Sequence, residues 1–135
     1  MNLHFKVKLP IATVFNYLTD MQKFVSIHPV ITKIDKTDAN SYLVHETLKF
    51  GSIPISFTYP VKIEQDYTSK KVTFKVKVMK INQIKMDFTL TEQEGTTLIN
   101  ETITFKTFLP IKPMMAKIFK AQHERLFENM GQNSK

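Results

Sequence analysis

From Val30 to Leu109 the chain alternates apolar and polar residues almost without interruption, and this run constrains the fold more than any other feature. Successive side chains of a strand point to opposite faces, so sustained alternation predicts a sheet with one dry and one wet face. The breaks "TDAN", "GS", "DYTSK", "KINQ" and "EG" divide the run into Val30–Lys36, Tyr42–Phe50, Pro54–Gln65, Lys71–Met79, Ile84–Gln93 and Thr97–Leu109. Connections this short join antiparallel neighbours, and the glycines of "GS" and "EG" suit tight turns. Phe57, Tyr59, Val61 and Ile63 share the dry face with Val72, Phe74, Val76 and Val78, with Met86, Phe88 and Leu90, and with Ile99, Ile103 and Phe105. The other face carries Lys62, Glu64, Lys75, Lys77, Lys85, Asp87 and Lys106.

The two ends of the chain supply what covers the dry face. Asn2–Leu9 alternates and reads as a seventh strand. Pro10 suits the first turn of a helix, and Ile11, Phe15 and Leu18 make one helical face up to Thr19. Asp20 is placed to N-cap a second short helix, Met21–Ile27. After "LPIKP" the stripe Met115, Ile118, Phe119, Gln122, Leu126 and Met130 marks one long helix, Met114–Met130, with Gly131 as its expected stop. Such a stripe needs an apolar partner, and the dry face of the sheet is the only large one. The predicted fold is therefore α+β, a seven-stranded curved antiparallel sheet gripping a long C-terminal helix, with two short helices between strands one and two. The 135 residues are expected to form a single domain.

"LPIATVFNYLTDMQKFVSIHPVITKID" resembles the opening of the START-like, helix-grip superfamily, which includes polyketide-cyclase-like and pollen-allergen-like proteins. The residues that carry the resemblance are Val14, Phe15, Leu18 and Asp20 in the first helix, then Pro29 and Ile31 at the following strand. "EGTTLINETITF" resembles the superfamily's last hairpin. The chain has no tryptophan, so no subfamily is assigned. The resemblance implies a cavity between sheet and long helix that holds a lipid, polyketide, aromatic or quinone-like molecule. Phe57, Phe74, Phe88, Phe105, Met86, Met115 and Ile118 are its expected apolar lining. The same residues would serve equally to fill an ordinary core, and a void no larger than a water would favour that alternative.

A few polar residues interrupt the dry pattern. Glu46 is in phase with Val44, Leu48 and Phe50, and Glu101 with Ile99, Ile103 and Phe105. A buried carboxyl must be paired, protonated or near water, unless a bulge turns it outward. Each is a candidate ligand anchor or acid/base. Gln122 and Arg125, the one arginine, lie on or near the inner stripe of the long helix, and Arg125 could supply the counter-charge. Tyr59 reads first as a core tyrosine with its hydroxyl at the rim, and second as a donor into the cavity. His28 precedes Pro29 and so must end the second helix; whether its ring faces the cavity is left open. His4 and His45 fall on polar phases, and His123 is assigned to neither side.

Other classes are weakened by what the sequence lacks. No cysteine is present, which removes disulfides and thiolate sites and makes a cytoplasmic location the simplest expectation. No metal-binding spacing, phosphate loop or dinucleotide fingerprint occurs, so no cofactor is expected. No apolar run is long enough for a membrane span. The net charge of +7 rests almost wholly on lysine, dispersed along the chain. That pattern reads as solvated faces, so nucleic acid is not the expected partner, although a lysine-rich module for RNA, membrane or protein is kept as an alternative. The leading expectation is a binder of a small hydrophobic molecule, monomeric or weakly dimeric. A cyclase, dehydratase or hydrolase working in the same cavity is the alternative.

Overall fold

Alternation resolves into one antiparallel sheet and the helical patterns into three helices. The computed structural model describes residues 1–78 and 82–133, leaving aside the side chain of Phe50. In chain order the elements are β1 (Asn2–Val7), α1 (Ile11–Thr19), α2 (Met21–Ile27), β2 (Ile31–Asp38), β3 (Ser41–Phe50), β4 (Ile53–Asp66), β5 (Lys71–Val78), β6 (Asn82–Gln93), β7 (Thr96–Lys106) and α3 (Lys112–Asn133). The seven strands lie in the order β1-β7-β6-β5-β4-β3-β2. From β2 to β7 every connection joins neighbours, and only the α1–α2 segment crosses from one sheet edge to the other. Of the expected turn "KINQ", residues 80 and 81 lie outside the described residues, as does 79 before it, while Asn82 and Gln83 already pair as the start of β6.

Local chemistry explains the element boundaries. Pro10 stands just before α1 rather than inside its first turn, and the first free N–H of the helix, that of Ile11, donates to Glu92 Oε1 at 3.0 Å. Asp20 caps α2 as expected, its Oδ1 accepting from the N–H groups of Gln22 (3.1 Å) and Lys23 (3.2 Å). Glu94 and Gly95 both adopt positive φ, 52° and 77°, between the paired residues Gln93 and Thr96. That is the backbone of a two-residue hairpin turn matched to the twist of its strands. β7 stops at Lys106, earlier than the alternation suggests. There the Thr107 hydroxyl donates to Asn82 Oδ1 and accepts from the N–H of Leu109, which turns the chain away from the ladder. Gly131 does not end α3, which continues to Asn133. It lies beside β1 with room to spare, Val7 Cγ1 being 4.0 Å from where a Cβ would stand.

The core sits between the dry face of the sheet and the helices. Val14 and Leu18 of α1, Phe24 and Ile27 of α2, and Leu126, Phe127 and Met130 of α3 are all buried. Phe127 meets Phe5 of β1 at 4.7 Å between ring centroids and Phe88 of β6 at 6.2 Å. Full burial of side chains such as Leu126 and Met130 contributes about 1.5–3 kcal/mol each. α3 is anchored unevenly. Its buried residues, His123, Leu126, Phe127 and Met130, all fall in its second half, whereas Met115, Ile118 and Phe119 of the first half are only half-buried and Met114 is exposed.

Candidate functional site

The dry face, α2 and α3 line an interior cavity. Its apolar wall comes from Ile34, Val44, Val61, Phe74, Met86 and Phe88, with Phe24 and Phe119 closing the helical side. Its polar lining is His28, Glu46, Tyr59, Gln122 and His123. The cavity volume is about 30 Å³. That is room for about two waters and far below a pocket of a few hundred Å³ that encloses a drug-sized ligand. The sheet and α3 are thus closed on each other here, and among the described residues the expected large pocket does not stand open between them. A larger depression, about 480 Å³, lies on the lysine-bearing face and shares only Val61 and Val76 with the cavity lining.

Glu46 and Tyr59 reach the cavity from adjacent strands. The β3–β4 register runs unbroken from Ser41↔Lys62 to Phe50↔Ile53, so Glu46 keeps its inward phase. The register irregularities at this edge fall between β2 and β3, one of them just after the Ile31↔Glu46 pair, and leave Glu46 inside. Tyr59 lies diagonally across from Glu46, and its hydroxyl donates to Glu46 Oε1 at 2.7 Å. Burial pushes the Glu46 carboxyl above its usual range, against the opposing effects of the Tyr59 hydrogen bond and of nearby His123. Burial, and then the Glu46 charge, push the Tyr59 phenol upward as well. The pair is a polar spot that favours a protonated carboxyl more than an exposed glutamate would.

A second polar pair stands at the other side. Glu101 of β7 is buried, and its Oε1 lies 2.7 Å from Nδ1 of buried His123 on α3. A carboxylate can only accept, which places the shared proton on the imidazole and fixes the ring. Phe88 and Phe119 flank that ring at 5.9 and 5.6 Å between centroids. The other carboxylate oxygen, Glu101 Oε2, is buried and has no hydrogen-bond partner. Such an atom carries a desolvation penalty of about 1–3 kcal/mol unless something pairs with it.

His28 forms the third polar group. It is the C-cap of α2, at φ −76° and ψ 133°, as the following proline requires. Its Nδ1 accepts from the N–H groups of Val30 (3.2 Å) and Ile31 (3.1 Å), which steadies the start of β2. An Nδ1 that accepts leaves the proton of the neutral ring on Nε2. Burial, and then the electrostatic effect of nearby His123, lower the His28 pKa to about 3, so the ring is neutral at physiological pH. The ring lines the cavity and packs on Phe24 at 5.4 Å. His28 therefore serves the backbone with one nitrogen and offers the other as a donor.

Of the residues expected at the site, His28, Glu46, Tyr59, Phe74, Met86, Phe88 and Gln122 line the cavity together. Glu101 stands behind His123 and touches the cavity only through it. Phe57 packs on Tyr59 at 5.9 Å and Phe105 on Phe119 at 5.8 Å, both beside the cavity rather than on its wall. Met115 and Ile118 are half-buried nearer the start of α3 and do not line the closed cavity. Arg125 is exposed and is not the counter-charge of either acid. Two residues on a helix turn through about 200°, so once His123 faces inward Arg125 faces out. His123 is the functional candidate that the sequence left unassigned. The signal for it was Glu101, a carboxyl on an inward phase that had to find a buried partner. Among the described residues no group of three or more His, Asp or Glu is placed to hold a metal ion, and no helix is long and apolar enough to cross a membrane.

The antiparallel sheet wrapped on a long C-terminal helix, with a polar-studded apolar cavity between them, defines a START-like helix-grip protein. More narrowly, residues 4–133 match the CoxG family, described as a family of carbon monoxide dehydrogenase subunits, and the chain belongs to that family. Its structure is similar to that of Ara h 8.0201, with 16% identity, a TM-score of 0.79 and coverage of 98% of this chain and 95% of the other. A START superfamily protein from Mycobacterium smegmatis is similar with 12% identity and a TM-score of 0.77, covering 98% and 94%. The Zhui aromatase/cyclase from Streptomyces sp. R1128 is similar with 8% identity and a TM-score of 0.69, covering 98% and 91%. At these identities the likeness is one of fold. No curated protein matches the sequence.

Proposed function

We propose that the chain binds a small, mostly apolar molecule bearing an oxygen function (a lipid, polyketide, aromatic or quinone-like compound) between the sheet and α3. The observation that carries this reading is the convergence of three polar groups, His28, Glu46–Tyr59 and His123–Glu101, on one apolar cavity. A core built only for stability gains little from them, since buried charged pairs are often no better than apolar residues of the same size. A few placed donors and acceptors in an apolar lining are what ligand recognition requires. The closed volume of about 30 Å³ means that entry needs the weakly anchored first half of α3 to move off the sheet. Flexible Met86 and the phenylalanines of the wall can repack as it does.

A second reading, an enzyme in the same cavity, is favoured by one feature. An imidazole held by a carboxylate, as His123 is by Glu101, is the arrangement that orients a general base. The similar fold of an aromatase/cyclase agrees with it.

Native mass spectrometry of the protein as purified tests the first reading. A non-covalent adduct is expected that organic extraction removes, after which the stripped protein takes up a neutral naphthylamine fluorophore. Protein that carries no adduct and gives no saturable fluorescence would overturn it. If the adduct is found and incubation with the protein converts it chemically, the second reading replaces simple binding. In that case Glu101→Gln should cut turnover more than affinity.

A further inference from the structure

The strand register assembles a second, unrelated feature on the wet face of the sheet. Lys62 of β4 pairs with Lys75 of β5, and Lys75 pairs with Lys85 of β6. Ser41 and Thr104 continue the same row at either end. One step along, Lys77 pairs with Gln83, and Gln83 with Lys106. All five lysines are exposed and line the depression of about 480 Å³. Neighbouring strands are about 4.8 Å apart, so the backbones of Lys62, Lys75 and Lys85 stand abreast within about 10 Å.

Like charges directly opposite each other destabilise a sheet, so this arrangement works against folding unless something offsets it. The protein offsets only part of it. Glu64 pairs with Lys75 at 2.9 Å, and Asp87 lies 3.7 Å from Lys85 and 3.9 Å from Lys71. Among the described residues Lys62, Lys77 and Lys106 have no carboxylate at ion-pair distance. Five lysines thus face two carboxylates across a concave surface, which concentrates the positive potential there.

What else lines the depression narrows the kind of anion. Of its apolar members Val61, Val76 and Ile84 are buried and Pro60 is exposed, and its one aromatic, Tyr42, is only half-exposed. A surface for single-stranded nucleic acid offers rings on which bases stack, and a membrane-docking face offers exposed apolar side chains to insert. This face offers one half-exposed ring and one exposed proline, too little for either. It does have hydroxyl and amide groups, from Thr37, Ser41, Thr104 and Gln83, around the lysine row. Its volume is that of a small-molecule site.

We propose that this face binds a compact oligophosphate, with Lys62, Lys75 and Lys85 along the phosphate chain and Lys77 and Lys106 at its edge. The site is separate from the cavity and independent of the function proposed for it. Titration calorimetry at low ionic strength, with inorganic tripolyphosphate as the probe, tests it. The wild-type protein is expected to bind tripolyphosphate saturably and orthophosphate far more weakly. In Lys62→Gln/Lys85→Gln the affinity should fall about tenfold, the effect of removing two exposed charges. The same variant should be at least as stable as wild type without ligand, because the lysine row is relieved. Amide resonances of wild type should shift around 62, 75, 85 and 104. ATP binding as tightly as tripolyphosphate assigns the site to the phosphate chain alone, and tighter binding to a nucleotide; both sustain the proposal. Affinity unchanged in the variant, orthophosphate as good as tripolyphosphate, or resonance shifts centred elsewhere would overturn it. An oligonucleotide that binds much more tightly at matched salt and loses affinity in the same variant would replace it with a nucleic-acid surface.

Discussion

His28 has two nitrogens with two different environments, and its pH behaviour follows from that. The chain reversal at Pro29 leaves the N–H groups of Val30 and Ile31 facing its Nδ1, and both are satisfied there. Protonating the ring would require Nδ1 to give up that role inside a buried site near His123. With an unfolded pKa of 6.5 and a folded pKa of about 3, the unfolded chain takes up a proton that the folded chain refuses. Above the higher value both states are neutral and His28 adds no slope. Below it, stability falls with falling pH by up to about 1.4 kcal/mol per unit. Glu46 acts in the opposite sense, since a carboxyl raised above 4.5 in the fold loses stability as pH rises through that window. His28→Asn keeps an acceptor for the two N–H groups and removes the titration. Urea unfolding at steps between about pH 4 and 7 should show a shallower acid loss in the variant. Equal slopes in the two proteins would mean that the folded ring takes up its proton as readily as an exposed one.

At the scale of the elements, α3 carries most of what was not legible in the sequence. The strands declared themselves because period two sets face by parity, and a residue such as Glu46 or Glu101 can be assigned inward by counting. A helix offers no such parity. Its inner arc is wide, and a polar residue at its border, such as His123, can be turned in by a partner that only the fold supplies. Arg125 was misplaced for the same reason: charge suggested a partner where helical phase forbade one. Gly131 looks like a terminator in the sequence because glycine ends helices more often than it continues them. In the structure it is a helical residue in the last turn of α3, without the positive φ of Gly51 and Gly95. A Cβ there would meet Val7 Cγ1 at 4.0 Å, an ordinary contact. Gly131→Ala should therefore stabilise the protein by about 0.5–1 kcal/mol, the helix-interior difference between the two residues. The urea midpoint should rise at unchanged slope. A lower midpoint would mean that the close packing of α3 on β1 leaves no room for a methyl group.

For the whole molecule, the question is how a sheet and a helix that are closed to about 30 Å³ could ever enclose a ligand. The packing divides the molecule unevenly. The second half of α3 is tied to the sheet by His123, Leu126, Phe127 and Met130, while the first half touches it through half-buried Met115, Ile118 and Phe119. Phe108, Leu109 and Met114, beside that first half, are exposed and gain nothing from the closed form. Opening the helix at its N-terminal half therefore forfeits little burial, whereas opening the C-terminal half breaks the core. Stability is accordingly expected to be graded along one continuous helix, with local opening at one end and global unfolding at the other. Hydrogen exchange should reveal this directly. Amides at 116–121 should exchange by local opening, about tenfold or more faster than those at 124–133, with little dependence on denaturant. A bound apolar ligand should slow the first group and leave the second unchanged. If the whole helix exchanges at one rate, the two halves open as a unit and a ligand cannot enter by displacing the first half alone.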